Sequence, residues 1–460
     1  MALIAGVDSS TQATKVEIRD LDSGDVVSNG RGEHAAVTAP RSEQDPRSWW
    51  SAFETAWASA GSTDVAALSV GGQQHGMVAL DAADQPVHPA KLWNDTESSP
   101  DADWLVDQLG SVKVWAQAVG SVPLAAFTIT KLSWLHRTQP EAFSNMRRVL
   151  LPHDYVTHCL TGRYTTDRGD VSGTGYWSPA TGEYRWDILA LIDPERDWTT
   201  VVPDVLGPMD AAGLWNGATV APGTGDNMAA ALGVGLRPGD AVISIGTSGT
   251  VYAVSSTPTA DPSGAVAGFA DATGRFLPLV CTSNAAKVLD AVRRLLGVDH
   301  EEFDALALAA EPDGPVLLPY FDGERTPNRP HARGVISGLR SDVTREQFAR
   351  SAVNGVACGL LDGLDALSTL TTLDGRIVLV GGGARSVAMQ RVIAGLVGRP
   401  VVVSDADEAV ATGAAVQAAA VLEQVDHEVI QDRWGLGAGA SVDGIDSGSI
   451  RERYAQLRDA

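Results

Sequence analysis

Two short polar turns, one in each half of the chain, contain the residue types that bind phosphate groups. The first follows an apolar strand that ends at Asp8 and reads Ser-Ser-Thr-Gln-Ala-Thr-Lys over residues 9–15. The second follows the apolar run 241–245 and reads Gly-Thr-Ser-Gly over residues 246–249. Small residues allow the backbone to approach a ligand closely, so that N–H groups and hydroxyls can point at one phosphate. Two such turns favour a polyphosphate gripped by two lobes, and therefore a nucleotide-dependent phosphotransferase.

Asp8 and Asp226 are the carboxylates that could act beside these turns. A carboxylate at position 8 would repel phosphate unless it helps to hold Mg2+, either directly or through water. The alternative is an ordinary β-turn in which Asp8 bonds its own backbone. Asp226 directly precedes an Ala-rich helix, so a helix N-cap is one interpretation. A charged carboxylate there could also accept the proton of a substrate hydroxyl that attacks phosphorus, and the two roles do not exclude each other.

A second group of polar residues is typical of a sugar site. Gln74 and His75 follow a predicted strand and lie between glycines, and the run Trp93-Asn94-Asp95 comes after the next turn. Together they offer an aromatic face with polar groups on its rim, as small-ligand sites often do. The alternative for His75 is a turn histidine without a ligand.

A third feature is the turn Gly381-Gly382-Gly383-Ala384, which follows the predicted strand 376–380. It lacks the spacing of a dinucleotide fingerprint. Close approach to an adenosine and a plain strand-to-helix turn are both open interpretations.

The elements that must position these residues alternate between strand and helix, which predicts an α/β fold. We expect strands over 3–8 and 14–19, a helix that starts at Asp45-Pro46, and helices filling 97–160. Residues 180–222 are predicted as further helix and loop, and a helix over 408–422 belongs to the second lobe. The turn-rich run 235–240 is the predicted boundary, which gives domains 1–240 and 241–460.

Composition excludes several other classes of function. The 460 residues carry a formal net charge of −23, which disfavours nucleic acid and anionic membranes as partners. The three cysteines show no Cys-x-x-Cys spacing, so neither a disulfide scaffold nor a structural zinc site is expected. With no apolar run of membrane-spanning length and no signal-peptide pattern, we expect a cytoplasmic protein.

Several runs, in order along nearly the whole chain, resemble the FGGY family of carbohydrate kinases. They are residues 8–15, 72–76, 92–95, 127–134, 225–227, 246–249 and the most distinctive run, Pro-Tyr-Phe-Asp-Gly-Glu-Arg-Thr-Pro over 319–327. The resemblance implies a two-lobed actin-like ATPase (ribonuclease H-like) fold with an interlobe cleft. Residues 73–76 and 92–95 are most similar to those of the xylulokinase branch of the family.

This resemblance implies an ATP- and Mg2+-dependent kinase that converts D-xylulose to D-xylulose 5-phosphate. Asp226 would be the general base, and Asp8 would be needed for activity and would hold the metal. The implied sugar-binding residues are Gln74, His75, Trp93, Asn94, Asp95 and Asn227. The implied nucleotide-binding residues are Ser10, Thr11, Gln12, Thr14, Lys15, Gly246, Thr247, Ser248, Gly382, Gly383 and Ala384.

Some positions depart from the family pattern and leave the sugar open. Gln74 stands where xylulokinases often have Met, and Asn354 stands where the family tends to have an acidic residue. The alternatives are a kinase for a ribulose-type pentulose or another polyol, an actin-like ATPase without a sugar substrate, and a non-catalytic sugar sensor. The expected partner is a small sugar, with neither nucleic acid nor membrane, and a homodimer is an open option.

Overall fold

The computed structural model describes residues 2–37, 40–61 and 64–460, which form two compact units. The first unit contains Met1–Leu236, Ser256–Leu277 and Ala406–Gly437. The second unit contains Arg237–Ser255, Pro278–Asp405 and Ala438–Ala460. Each unit is therefore assembled from separate segments of the chain.

The strands of the described chain are β1 (Leu3–Ser9), β2 (Ala13–Asp20), β3 (Val26–Glu33), β4 (Glu43–Gln44), β5 (Ala67–Gly72), β6 (Val78–Leu80), β7 (Ala90–Lys91), β8 (Arg148–Leu150), β9 (Thr165–Asp167), β10 (Trp177–Ser178), β11 (Glu183–Tyr184), β12 (Asp204–Leu206), β13 (Gly213–Trp215), β14 (Ala218–Val220), β15 (Thr224–Gly225), β16 (Ala241–Ile245), β17 (Gly249–Ala253), β18 (Ala267–Ala270), β19 (Phe276–Thr282), β20 (Val316–Leu318), β21 (Val335–Ser337), β22 (Ile377–Val380), β23 (Val401–Ser404) and β24 (Gly439–Ser441).

The α-helices are α1 (Pro46–Ser59), α2 (Ser99–Leu109), α3 (Val112–Val119), α4 (Thr128–Thr138), α5 (Pro140–Asn145), α6 (Pro152–Thr161), α7 (Arg168–Val171), α8 (Trp186–Leu189), α9 (Asp226–Gly233), α10 (Ala286–Leu296), α11 (His300–Ala309), α12 (Arg345–Ser368), α13 (Val387–Val397), α14 (Ala409–Glu423), α15 (His427–Arg433) and α16 (Ile450–Asp459). Short 3-10 helices cover Trp198–Thr200 and Gly382–Arg385.

The first unit is built on a mixed sheet with the strand order β13-β14-β5-β1-β2-β3, to which β15 adds by pairing with β5. β1 and β5 are buried along almost their whole length, because both faces of the sheet are covered. On one face, α1 begins where Asp45 accepts the Arg47 N–H and Pro46 takes the first helical position. Its apolar stripe of Trp49 and Phe53 then joins the core beneath the strands.

The strand register brings the carboxyl ends of three strands to one edge of this sheet. β1, β5 and β15 run parallel, with Asp8 opposite Gly71, Thr224 also opposite Gly71, and Gly225 opposite Gly72. The residues that follow, namely 9–12, 73–76 and 226–227, must therefore leave the sheet at the same edge. Such an edge is where ligands bind in α/β sheets.

The helix predicted over 408–422 is confirmed as α14, but it belongs to the first unit rather than to the second. It packs closely because glycines, one in β1 and one in α14 itself, leave no side chain at the contacts. A Cβ at Gly6 would lie 1.9 Å from the Ala411 carbonyl oxygen, and one at Gly413 would lie 1.7 Å from the Ala229 carbonyl oxygen. Small residues on both sides thus hold α14 against β1 and against α9, the helix that begins with Asp226.

The second unit repeats the strand–turn–strand pattern of the first. β16 pairs with β17 as an antiparallel hairpin and with β22 in parallel, and β22 pairs in parallel with β23. The antiparallel strand β24 follows β23 at the edge. The long, buried helix α12 packs on β17 and β20.

The prediction of helix and loop over 180–222 is wrong in part. This segment contains the strands β11, β12, β13 and β14, and β14 joins the main sheet of the first unit by pairing with β5. These strands are two or three residues long, which is too short for a period-2 pattern to be read from the sequence.

Candidate active site

The site at the sheet edge is centred on Asp226, at the start of α9. The Asn227 backbone N–H donates to Asp226 Oδ1 at 2.8 Å, and Asn227 Nδ2 donates to the same oxygen at 3.0 Å. Asn227 Nδ2 also donates to Gln74 Oε1 at 2.7 Å. Gln74, Asn227 and Asp226 are therefore joined as one hydrogen-bonded set. Asp226 and Asn227 keep a partly exposed surface, so a ligand can reach them.

The electrostatic surroundings of Asp226 suit proton transfer near neutral pH. Burial, with repulsion from Asp170 and Asp8, raises the pKa of Asp226 to about 7, although the hydrogen bonds from Asn227 oppose the shift. A carboxyl with a pKa near the working pH can both accept and release a proton. The local structure also explains the position: Gly225 precedes Asp226 because a Cβ there would lie 2.7 Å from Gln74 Cγ.

Asp8, at the end of β1, is 3% exposed and lies among charged groups. Its Oδ1 accepts a short hydrogen bond from the Ser10 hydroxyl, and Lys15 Nζ lies 3.7 Å from its Oδ2. Burial raises the pKa of Asp8, whereas Ser10 and Lys15 act to lower it. Lys15 Nζ also pairs with Glu408 at 2.5 Å. Glu408 was not predicted as a site residue from the sequence; the predicted helix over 408–422 begins with it, and in the structure it directly precedes α14.

The side chains of the first turn face different directions. The Thr11 hydroxyl donates to Gln73 Oε1 at 3.1 Å and accepts the Trp93 Nε1–H at 3.0 Å. It therefore links the first turn to Trp93, one of the predicted sugar-binding residues. Gln12 is exposed. Thr14 is completely buried with its hydroxyl 2.9 Å from His34 Nε2, a position that does not support a phosphate contact by its side chain.

His75 adopts a left-handed backbone conformation with φ of 65°, which is uncommon for a residue with a side chain. Its neighbours hold it there. Its Nδ1 lies 2.8 Å from the Gly173 carbonyl oxygen, and the Thr128 hydroxyl donates to its carbonyl at 3.2 Å. The rings of Phe127 and Phe269 pack on its imidazole at centroid distances of 4.8 and 5.5 Å.

The residues of the run 92–95 differ in how deeply they are buried. Trp93 and Asn94 are half-buried, and Asn94 Oδ1 is a buried acceptor with no hydrogen-bond partner in the described part of the chain. A ligand hydroxyl could satisfy this oxygen. Asp95 is completely buried and accepts from the Ser42 N–H at 2.9 Å and Lys91 Nζ at 3.1 Å. Its position does not support a direct sugar contact.

The run 127–134 contains Phe127, whose ring packs on His75, and the first residues of α4. Lys131 is completely buried on α4, and its Nζ donates to the carbonyl oxygens of Ala125, Ala126 and Phe127. Burial lowers the pKa of Lys131 to about 7. These hydrogen bonds fix the loop that presents Phe127 to His75.

A buried ionic cluster lies beneath the sheet edge and was not foreseen from the sequence. It consists of His153, Asp154, Asp167 and Asp170, which we call the His153 cluster. His153 Nδ1 lies 2.8 Å from Asp170, and its Nε2 lies 3.0 Å from Asp154 and 3.7 Å from Asp167. Burial alone would lower the pKa of His153, but the three carboxylates outweigh it and raise the pKa to about 9. Its members at 167 and 170 lie in a polar, glycine-containing run over 165–175, which by itself does not indicate an ionic cluster.

Replacing His153 by Gln should lower the free energy of unfolding by about 3–5 kcal/mol, because it leaves buried carboxylates without their cation. The folded-state pKa of about 9 lies above the unfolded value of about 6.5. The contribution is therefore complete below pH 6.5 and is lost as pH rises through 9. Urea unfolding followed by tryptophan fluorescence, at pH 6 and at pH 9.5, measures the difference between wild type and variant.

The matched control for this prediction is His158→Gln, on the same helix but partly exposed. It should change the free energy of unfolding by no more than about 1 kcal/mol. A His153→Gln loss that equals the control, or that grows with pH, contradicts the assignment of a buried imidazolium.

In the second unit the two predicted nucleotide-binding turns are neighbours. Thr247 and Ser248 are exposed at the tip of the β16–β17 hairpin, and the Ala286 N–H at the start of α10 donates to the Gly246 carbonyl at 2.9 Å. Because β16 and β22 are parallel, the turn after β22 lies at the same edge. A Cβ at Gly383 would lie 2.5 Å from Ile245 Cγ2, at the end of β16.

The turn after β22 is exposed to solvent at its beginning and buried at its end. Gly381 and Gly382 are exposed, whereas Ala384 is 2% exposed and packs into the core. The glycine backbone is therefore available to a ligand, and the side chain of Ala384 is not.

The repeated strand–turn–strand pattern, with a carboxylate at the sheet edge, is the arrangement expected of a sugar kinase of the actin-like ATPase fold. The chain belongs to the FGGY family of carbohydrate kinases: residues 3–233 match the N-terminal domain of that family and residues 241–422 its C-terminal domain. Both the expected family and the expected fold class are thereby confirmed.

Individual relatives are similar over their whole length. A xylulose kinase from Streptomyces coelicolor is 48% identical, with 100% of this chain and 96% of the relative covered. One from Streptomyces rubiginosus is 46% identical, with 96% and 93% covered. The crystal structure of xylulose kinase from Bifidobacterium adolescentis, 40% identical, superposes with a TM-score of 0.89 over 99% of both chains.

Among the helices described here, none is both long enough and apolar enough to cross a membrane.

Proposed function

We propose that this chain transfers the γ-phosphoryl group of ATP to D-xylulose and releases D-xylulose 5-phosphate and ADP. The observation that carries the proposal is the hydrogen-bonded set of Gln74, Asn227 and Asp226 beside His75. It places amide groups that can bind sugar hydroxyls next to a carboxylate that can take a proton. The relatives that are 46–48% identical are xylulose kinases, which supports this sugar.

In this proposal Asp226 is the general base. Phosphoryl transfer passes through a loose transition state, so the attacking hydroxyl loses its proton late. The protein contributes mainly by holding the reactants in line and by stabilising charge. A carboxylate whose pKa is raised to about 7 by burial and by nearby carboxylates is well matched to this step.

The sugar-binding residues we propose are Gln74, His75, Trp93, Asn94 and Asn227. Trp93 would provide an apolar face, and the amides and the imidazole would bind hydroxyls. For Asp95 we propose a supporting role only, because its buried carboxylate holds Lys91 and the Ser42 backbone in place.

The nucleotide and its Mg2+ fit the residues of the turns. Asp8 and Glu408 are oxygen donors on either side of Lys15, and Mg2+ prefers such hard ligands. Asp8 would hold the ion, directly or through water, and the ion would neutralise charge on the phosphates. Ser10, Thr11, Gln12 and Lys15 would assist there, and Thr14, paired with Ser9 and Gly32 inside the sheet, would support the turn.

For the second unit we propose that Gly246, Thr247 and Ser248 contact phosphate oxygens and that the backbone of Gly382, Gly383 and Ala384 contacts adenosine.

The family matches end at residue 233 and resume at 241, which supports the proposed domain border near 240. The net charge of −23 supports a sugar rather than nucleic acid as partner. The sparse cysteines, three in 460 residues, support the proposal of a cytoplasmic location. Homodimer formation stays an open proposal.

A panel of sugars in a coupled ADP-release assay tests the function. D-xylulose should give a kcat/KM about tenfold or more above D-ribulose, L-ribulose, glycerol and gluconate, and mass spectrometry should find the 5-phosphate. A preparation of Asp226→Asn controls for contaminating kinases. A higher kcat/KM for another pentulose establishes the ribulose-type alternative instead. ADP release that ignores every sugar establishes an ATPase and overturns the proposal.

A further inference from the structure

Two of the three carboxylates in the His153 cluster accept backbone N–H groups at the start of a helix, and the third, Asp170, does not. Asp154 accepts the Leu151 N–H at 2.8 Å at the start of its own helix. Asp167 accepts the Gly169 and Asp170 N–H groups and the Thr224 hydroxyl at 2.7–2.9 Å. His153 is the cation between them. Asp170 caps no helix, so its place in the cluster needs another explanation.

Asp170 is the member of the His153 cluster that faces the proposed sugar residues. Its Oδ2 lies 2.8 Å from His153 Nδ1. Burial raises the pKa of Asp170, whereas His153, the backbone N–H of His75 and the side chain of Gln74 act to lower it. Asp170 therefore lies between a buried imidazolium and the two residues that would bind sugar hydroxyls.

The loop that carries Asp170 contacts His75 a second time, through Gly173, and the approach is close. Gly173, three residues after Asp170, accepts from the imidazole of His75 through its carbonyl. A Cβ at Gly173 would lie 2.5 Å from the His75 ring, and one at Gly72 would lie 2.8 Å from His153 Cβ. Such contacts can stabilise the left-handed conformation of His75, which is otherwise unfavourable for a residue with a side chain.

We propose that Asp170, held by His153, is a positioning residue that fixes Gln74 and His75 for sugar binding beside Asp226. The charge on His153, 2.8 Å away, favours the ionised form of Asp170, which burial disfavours. An ionised acceptor forms stronger hydrogen bonds to N–H groups than a neutral one does. Asp170 itself is buried and is not expected to touch the sugar. This inference rests on the proposed sugar kinase function.

The variant Asp170→Asn keeps the shape of the side chain and removes the charged acceptor. We expect the KM for D-xylulose to rise about tenfold, while the KM for ATP stays within about twofold of wild type. Direct titration of D-xylulose without ATP should show the same loss of affinity. The matched control is Asp154→Asn, in the same cluster but facing its own helix, and it should leave both KM values unchanged.

An equal rise in both KM values, an unchanged sugar KM, or the same effect in Asp154→Asn overturns the positioning role. If wild type neither binds nor phosphorylates D-xylulose, the proposed function fails for that sugar, and the same comparison is made with the sugar that the panel selects. If no sugar is bound, both proposals fall.

A second measurement uses only the wild-type chain, so it does not depend on how a variant folds. Hydrogen exchange is compared with and without D-xylulose. We expect sugar to slow exchange in peptides covering residues 168–175 as well as 73–77, and to leave residues 450–459 unchanged. Protection of 73–77 without protection of 168–175 contradicts the proposal.

Discussion

Replacing Asp226 by Asn should lower the kcat for sugar phosphorylation by about 10²- to 10⁴-fold, the usual contribution of a general base. The KM for the sugar should change little, because Asn can still accept the hydrogen bonds from Asn227. Steady-state kinetics with saturating ATP measure both values. The variant should unfold at an equal or higher temperature than wild type, since burial and repulsion from Asp170 and Asp8 disfavour a charge at this position.

The pH dependence gives a second readout on Asp226. The group must be deprotonated to act, and its pKa is raised to about 7 by burial and by neighbouring carboxylates. The kcat/KM of wild type should therefore rise as pH increases through about 7 and then level off. Asp103→Asn, at an exposed position on α2, is the control and should keep wild-type kcat and pH profile. Near-normal turnover by Asp226→Asn rules out the assignment.

Asp8→Asn should reduce activity by about 10- to 100-fold at a fixed, low concentration of Mg2+. The variant keeps a hydrogen-bonding side chain at the end of β1 but removes the charge that attracts the cation. Part of the activity should return as Mg2+ is raised, with half-saturation at a higher concentration than for wild type. A Mg2+ titration of the initial rate measures this shift.

The control for Asp8 is Asp22→Asn, at an exposed position in the turn after β2. It should leave both the rate and the Mg2+ dependence unchanged. If Asp8→Asn loses activity without any shift in Mg2+ half-saturation, Asp8 does not hold the metal and acts in another way.

Much of the site could be predicted because its parts lie in contiguous runs. Asp8 follows an apolar strand and Asp226 precedes an Ala-rich helix, so each was located by a pattern of neighbours. Parallel pairing then makes the ends of β1, β5 and β15 meet, which the register confirms. The direction of individual side chains was not predictable in this way. Thr14 and Asp95 both lie in polar runs, yet both are completely buried.

The family, the α/β class and the residues at the ends of the strands could be read from the sequence, since periodicity, turn composition and motif order are local properties. Three further features became visible only in the packed molecule: α14 belongs to the first unit, Glu408 pairs with Lys15, and His153 lies among three carboxylates. Lys15 and Glu408 are 393 positions apart. Contacts of this kind depend on which surfaces pack together and on which charges are thereby removed from water, and neither leaves a pattern in neighbouring residues.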